Sequence, residues 1–336
     1  MIDKVKWGVI GVANIAVRKV IPAMLAGQWS RIEAIASRDL AKAQRVAEQL
    51  GIPRAYGSYE ELLADSDLEA IYNPLPNNLH LEWTTKAVRA GKHVLCEKPI
   101  GMTVSESQLL LKARDETGKK IEEAFMVITN PQWVTVLDMI EAGQIGEVKS
   151  VQAHFSYNNQ DLTNIRNIRE TGGGGLMDIG CYLIFFSRLI FGAEPKRVVS
   201  LVEEHSQTKT DILTSALLEF PTGHATFTCG TRITPYQRVQ VIGTEGRIEV
   251  QIPVNAPPDY PCKVFLDDVT DLSGRAIQTI EFETSDQYTI QGDLFSQSIR
   301  ENREPILPLE ESIKNMAVIE AVFRSAKTGQ WEAPKV

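Results

Sequence analysis

Val5-Lys6-Trp7-Gly8-Val9-Ile10-Gly11-Val12-Ala13-Asn14-Ile15-Ala16 sets a short apolar run directly before a cluster of small residues, and a helical pattern follows to about residue 25. A strand that turns at once into a helix presents free N–H groups and the positive end of the helix dipole at the turn, which is where a dinucleotide pyrophosphate is held. The strict fingerprint G-x-G-x-x-G reads here as Gly11-x-Ala13-x-x-Ala16, with Asn14 and Ile15 completing the turn. One glycine of three is weak evidence taken alone, and its value depends on what surrounds it.

The surroundings repeat the same unit. Residues 32–36 precede a helical stretch to about 50, residues 70–72 precede 79–90, residues 93–96 precede 104–117, and residues 121–124 close the series. Strands alternating with helices specify βαβ units and a doubly wound, parallel Rossmann sheet, here an N-terminal dinucleotide-binding domain over residues 1–124. Beyond residue 125 the pattern changes. After one helix at 133–142, long alternating runs appear at 148–157, 197–203, 212–220, 225–231, 238–242, 247–252 and 277–282, with helical stretches at 178–191, 286–301 and 309–328. Residues 125–336 are therefore expected to form a C-terminal α+β domain around one large, mainly antiparallel, open-faced sheet.

Composition bounds the function. A chain of 336 residues with 43% hydrophobic and 23% charged residues has enough apolar material for more than one core and is not a disordered or low-complexity sequence. Its net charge of -8, from 43 acids against 35 bases, argues against nucleic acid or an anionic membrane surface as partner, so any phosphate must be met by local groups. The cysteines at 96, 181, 229 and 262 have no metal-ligand or redox spacing, and no metal is expected. The first residues lack the apolar core of a signal peptide and no run of 18 apolar residues occurs, which makes the cytoplasm the expected compartment.

The end of the second strand chooses the dinucleotide. Enzymes that use NAD usually place an acid there, about 20 residues after the glycine turn, on the ribose 2′-hydroxyl. This chain has Ser37 and Arg38 instead. A hydroxyl and a guanidinium suit a 2′-phosphate that a carboxylate would repel, so NADP is expected, with NAD as the alternative. Asp39, one residue further, is read as the cap of the following helix.

Four further segments carry a resemblance: Pro74-Leu75-Pro76-Asn77-Asn78-Leu79-His80, Cys96-Glu97-Lys98-Pro99, Asn164-Ile165-Arg166 and Gly172-Gly173-Gly174-Gly175-Leu176-Met177-Asp178-Ile179-Gly180-Cys181-Tyr182. Together with the opening turn they resemble the Gfo/Idh/MocA oxidoreductases, in the branch of NADP-dependent dihydrodiol and aldose dehydrogenases. The resemblance implies hydride exchange between nicotinamide and a carbinol or carbonyl carbon of a sugar or polyol. It further implies that Pro74, Leu75, Asn77, His80, Glu97 and Lys98 face the cofactor, with Glu97 on the nicotinamide ribose and Pro99 in a cis bond. Arg166 is a substrate-binding candidate on the same ground. It also implies burial of the open sheet face against another subunit, giving a homodimer or homotetramer.

The resemblance also implies the reacting residues, and chemistry gives each a task. Asp178 and Tyr182 lie four apart, hence on one face of a helix that begins where the glycines end. Tyr182 is the candidate proton donor and acceptor, and because a free phenol ionises near ~10 it needs an ammonium, for which Lys98 is the candidate. Asp178 would orient the group or the substrate. The four glycines are either flexible loop or backbone lying against the ligands. Related readings keep NADP permanently bound to shuttle hydride between sugars, or use transient oxidation to cleave or epimerise one; a dinucleotide-sensing regulator is the alternative of another class.

Overall fold

The computed structural model describes residues 2–336. Two compact units are present, one formed by the chain up to Met126 together with Asp286–Ile313, the other by Val127–Ser285 together with Lys314–Val336.

The first unit holds a sheet of β1 (Val5–Ile10), β2 (Ser30–Ala36), β3 (Arg54–Tyr56), β4 (Ala70–Asn73), β5 (His93–Cys96) and β6 (Ile121–Glu123) in the order β3-β2-β1-β4-β5-β6. Every pairing in it is parallel. Parallel strands need helical crossovers, which cover both faces and explain why these strands read as apolar runs rather than alternating ones. One face packs Ile10, Ala34, Ile71, Val94 and Ile121, and the other packs Trp7, Val9, Ile32, Ile35, Tyr72 and Leu95. The order reverses at β1 and β4, so the switch point lies at the carboxyl ends of the strands carrying Gly11 and Pro74.

The expected boundary after residue 124 describes this unit incompletely, because the helix Gln287–Arg300 also belongs to it. Phe295 packs on Trp7 with ring centroids 5.7 Å apart, and the Trp7 indole N–H donates to Ser296 Oγ at 3.1 Å. The Asp293 carboxylate accepts the backbone N–H groups of Gln28 and Trp29 at 2.8 Å each, and Arg300 forms a two-pronged pair with Glu69 at 2.6 and 2.7 Å. Amphipathic spacing shows that a helix exists but not which sheet its apolar stripe covers.

The second unit holds β7 (Val148–Asn158), β8 (Arg197–Glu204), β9 (Asp211–Glu219), β10 (His224–Gly230), β11 (Arg232–Gly243), β12 (Arg247–Val250), β13 (Lys263–Asp267) and β14 (Gln278–Glu281). Their order is β14-β13-β12-β11-β7-β10-β9-β8, antiparallel throughout except for the β7–β10 pair. The short elements β3, β13 and the helix Tyr59–Ala64 were not legible as separate runs, since three to six residues between turns give no measurable period. Alternation leaves one sheet face wet: Val198 and Leu218 are fully buried while Leu201 is 79% and Tyr236 49% exposed. Residues 169–191 are long and apolar enough to cross a bilayer, yet 83% of their most apolar window is buried inside the protein, so their apolarity serves the core.

Candidate active site

The dinucleotide turn forms as the small residues require. Gly11 sits at φ +102°, a region that side-chain-bearing residues avoid, and its N–H donates to the Ala36 carbonyl at 2.8 Å. A Cβ at Gly11 would approach Leu75 Cδ2 to 2.9 Å, so the backbone there is a shallow cradle that only glycine keeps open. The helix that follows opens with a wide π turn over Ala16–Val20, and Asn14 is exposed at the turn while Ala13 and Ile15 are half-buried. At the end of β2, Ser37 is buried and its hydroxyl accepts the Asp39 N–H at 3.2 Å, whereas Arg38 is exposed, with its charge near enough to the Tyr59 hydroxyl to favour its ionised form. Asp39 caps the next helix by accepting from Lys42 N at 3.1 Å. A cation beside a glycine cradle, with no carboxylate at the strand end, fits a dinucleotide that carries a 2′-phosphate.

At the ends of β4 and β5 the structure gives His80 a different role from the one the resemblance implies. It is wholly buried, with Nδ1 2.8 Å from the Pro99 carbonyl and Nε2 2.7 Å from the Leu75 carbonyl. A neutral ring donates to only one of these. Burial pushes its pKa down to about 4 against the pull of the two carbonyls, and the Lys98 charge adds to the lowering. His80 is thus a strut joining the Pro74–Leu75 turn to the cis Lys98–Pro99 turn, and it has no ring nitrogen left for a ligand. Pro74 and Leu75 are buried, and Asn77, Glu97 and Lys98 are half-buried. Glu97 accepts the Tyr72 hydroxyl at 2.5 Å, and burial followed by the Glu97 charge holds the Tyr72 pKa well above its ordinary value. Tyr72 was invisible in the sequence because it sits inside a strand whose other residues are core.

In the second unit the four glycines are packed closely against neighbouring backbone and the Asp211 side chain. Gly173 N–H donates to Ile168 O and Gly174 N–H to Arg166 O, each at 2.9 Å, and a Cβ on Gly173 would lie 2.6 Å from Arg166 O. The run is zipped to the Asn164–Arg166 loop. From Leu176 to Gly180 the chain makes a π turn, a form enriched at functional sites, and continues as the α-helix Cys181–Phe191. Asn315 Nδ2 donates to the Cys181 carbonyl at 3.1 Å and so fixes the junction.

Asp178 gathers a small network. Its Oδ2 accepts the Tyr157 hydroxyl at 2.7 Å and Arg166 Nε at 2.9 Å. Arg166, read as a substrate ligand, therefore also serves as the counter-ion of Asp178. Burial first, then the Asp178 charge, raises the Tyr157 pKa, so Tyr157 acts as a neutral donor. Tyr182 is buried, with its ring among Phe155 and Phe186 at centroid distances of 6.4 and 6.5 Å. Tyr157 is a residue that sequence reasoning missed; its inward place in the alternation of β7 was the available signal. Lys98 belongs to the first unit and Tyr182 to the second.

A Rossmann strand order with a glycine turn, joined to a unit presenting a carboxylate–tyrosine helix, defines the dinucleotide-dependent oxidoreductase class. Residues 5–125 match the oxidoreductase family with an NAD-binding Rossmann fold, and residues 133–249 match the GFO/IDH/MocA C-terminal domain. The chain belongs to the Gfo/Idh/MocA oxidoreductases. It is similar to an oxidoreductase from Rhizobium meliloti, 43% identical over 98% of this chain and 99% of that one. It is also similar to a D-xylose 1-dehydrogenase (NADP(+)) from Haloferax volcanii, 37% identical over 96% and 98% of the two chains. Among solved structures it is similar to a 3-ketoreductase from Actinomadura kijaniata in complex with NADP and TDP-benzene, with a TM-score of 0.90 at 30% identity over 96% and 98% of the chains. That reductase has also been solved with one tyrosine changed to phenylalanine and with one lysine changed to alanine or glutamate.

Proposed function

We propose that this protein is an NADP-dependent oxidoreductase that interconverts a carbinol and a carbonyl on a sugar or related polyol. The observation that carries the reading is Arg38, exposed at the end of β2 where an NAD enzyme would place an acid. The xylose dehydrogenase and the ketoreductase that it resembles support the sugar class. NADP, when bound, supplies the hydride donor or acceptor. The chain's own groups do the rest: Gly11, Ala13, Asn14 and Ile15 meet the pyrophosphate, Ser37 and Arg38 the 2′-phosphate, and Pro74, Leu75, Asn77 and Glu97 the nicotinamide half.

Tyr182 moves the proton, giving it to the carbonyl oxygen in reduction and taking it from the hydroxyl in oxidation. A phenol needs an ammonium to ionise toward neutral pH, and Lys98 is the candidate for that role. Asp178, held by Tyr157 and Arg166, orients the substrate. The lysine and tyrosine substitutions made in the ketoreductase concern the same two residue types.

The test is NADPH oxidation against a panel of keto-sugars and aldoses, with NADP+ reduction by the matching alcohols. Turnover of at least one sugar or polyol is expected. Binding of NADPH with no turnover across the panel would instead favour a dinucleotide-sensing protein. A second measurement addresses the phosphate. A hydrogen bond to a charged group contributes about 1.5–3 kcal/mol, so Arg38→Ala should weaken NADPH roughly tenfold to a hundredfold and leave NADH nearly unchanged. Because a ligand raises the melting temperature according to its occupancy, NADPH should protect the native protein more than NADH, and the substitution should close that gap. Equal protection by both dinucleotides in the native protein would remove the assignment.

A further inference from the structure

The helix that carries Asp178 and Tyr182 begins on a buried acid from a different strand. Asp211, the first residue of β9, is 4% exposed, and its Oδ2 accepts the Leu176 N–H at 2.6 Å and the Thr214 hydroxyl at 3.1 Å. Gly175 lies against the same carboxylate, since a Cβ there would stand 3.3 Å from Oδ2. Gly174 passes over Oδ1 at φ +125°, so closely that any Cβ there would collide with the carboxylate. The glycine run, the helix start and the acid therefore form one packed unit.

We propose that Asp211 is a positioning residue for the reaction: its carboxylate clamps the N-terminus of the Asp178–Tyr182 helix. Helix N-termini leave N–H groups without intrahelical partners and carry partial positive charge, so a buried carboxylate there is bound by both hydrogen bonds and the helix dipole. The clamp fixes the first turn, and that turn carries Asp178 together with its Tyr157 and Arg166 partners.

The same burial makes the clamp sensitive to pH. Burial raises the Asp211 pKa to about 6, against the hydrogen bonds from Leu176 and Thr214 that favour its charged form. The clamp is thus complete above pH 6 and is weakened below it, when the carboxyl is protonated and accepts less strongly. The titratable groups facing it are Cys229 of β10 and Tyr157 of β7, with Cys181 and Asp178 beside Cys229. Burial holds Cys229 and Tyr157 protonated through the neutral range, and Asp178 is paired with Arg166. His205 also lies nearby, bonding the Thr210 carbonyl through its backbone N–H at 2.9 Å, so a transition near pH 6 in this segment is assigned to Asp211 by its loss in Asp211→Asn.

This inference rests on the roles given above to Tyr182 and Asp178, and its first test needs no substrate. Hydrogen–deuterium exchange of peptides covering residues 172–182, corrected for intrinsic rates, should show protection in the native protein that falls roughly tenfold from pH 7.5 to pH 5, the scale of one charge-assisted hydrogen bond. Asp211→Asn should exchange at the faster level at every pH. Thr214→Val, which removes one bond to the charged form and keeps the volume, should move the transition upward in pH. Asp211→Asn should also lower kcat at least tenfold while NADPH affinity stays constant. Native-like protection in Asp211→Asn, a native protein with no transition near pH 6, or an unchanged kcat would each overturn the proposal. Failure of the Tyr182 assignment would leave the exchange results intact, so the two readings fail separately.

Discussion

Replacing Tyr182 by Phe is expected to lower turnover about 10²- to 10⁴-fold, the usual contribution of a positioned acid–base group, while NADPH binds as before. Phenylalanine keeps the ring that packs among Phe155 and Phe186, and only the hydroxyl is removed. Lys98→Met should be comparably damaging, since a phenol ordinarily ionises near ~10 and without an ammonium is a poor base at neutral pH. The double variant separates cooperation from independence. If the two groups act on one proton, it should be little worse than the worse single variant, because residues acting as a unit do not multiply their effects. Multiplying effects would leave both residues important and would contradict their pairing. Full activity in Tyr182→Phe would pass the proton role to another group or to water. His80 is a poor substitute, since both its ring nitrogens face backbone carbonyls and its pKa lies at about 4.

Trp7→Ala should be the most destabilising change in the first unit. Trp7 has no exposed surface, and removing a buried tryptophan costs about 3–5 kcal/mol. For a unit of this size that corresponds to a fall in melting temperature of roughly 10 °C. The loss is expected to be felt far along the chain, because Trp7 packs on Phe295 and donates to Ser296, which also bonds Ser30 at 3.0 Å. Limited proteolysis should accordingly become faster within the helix Gln287–Arg300, not only near β1. A variant that melts within 2 °C of the native protein, using the scale of about 2–4 °C per kcal/mol, would show that this helix does not depend on Trp7.

Much of the candidate site is written in local patterns. The parallel sheet followed from the period of its strands and helices, and the glycine at φ +102° from its place between them. The choice of Ser37 and Arg38 over an acid, the Asp39 cap and the cis Lys98–Pro99 bond needed only neighbouring residues or the resemblance. The carboxylate–tyrosine spacing at 178 and 182 was legible too, although it was judged on a regular helix and the chain makes a wider turn there.

What remained hidden are contacts between residues distant in the chain. His80 looked like a ligand for the cofactor until its two carbonyl partners, 5 and 19 positions away, were seen to occupy it. Tyr157 lies 21 residues from Asp178 and Asp211 lies 35 from Leu176, separations over which no periodicity connects a donor to its acceptor. The helix near residue 290 returned to a sheet begun at residue 5 for the same reason. Local sequence by itself determined which segments become strands, helices and tight turns, because those depend on backbone sterics, period and the nearest side chains. Only the tertiary structure decided which buried polar group meets which partner, because burial makes an unpaired donor or acceptor costly and the partner that satisfies it can come from anywhere in the chain.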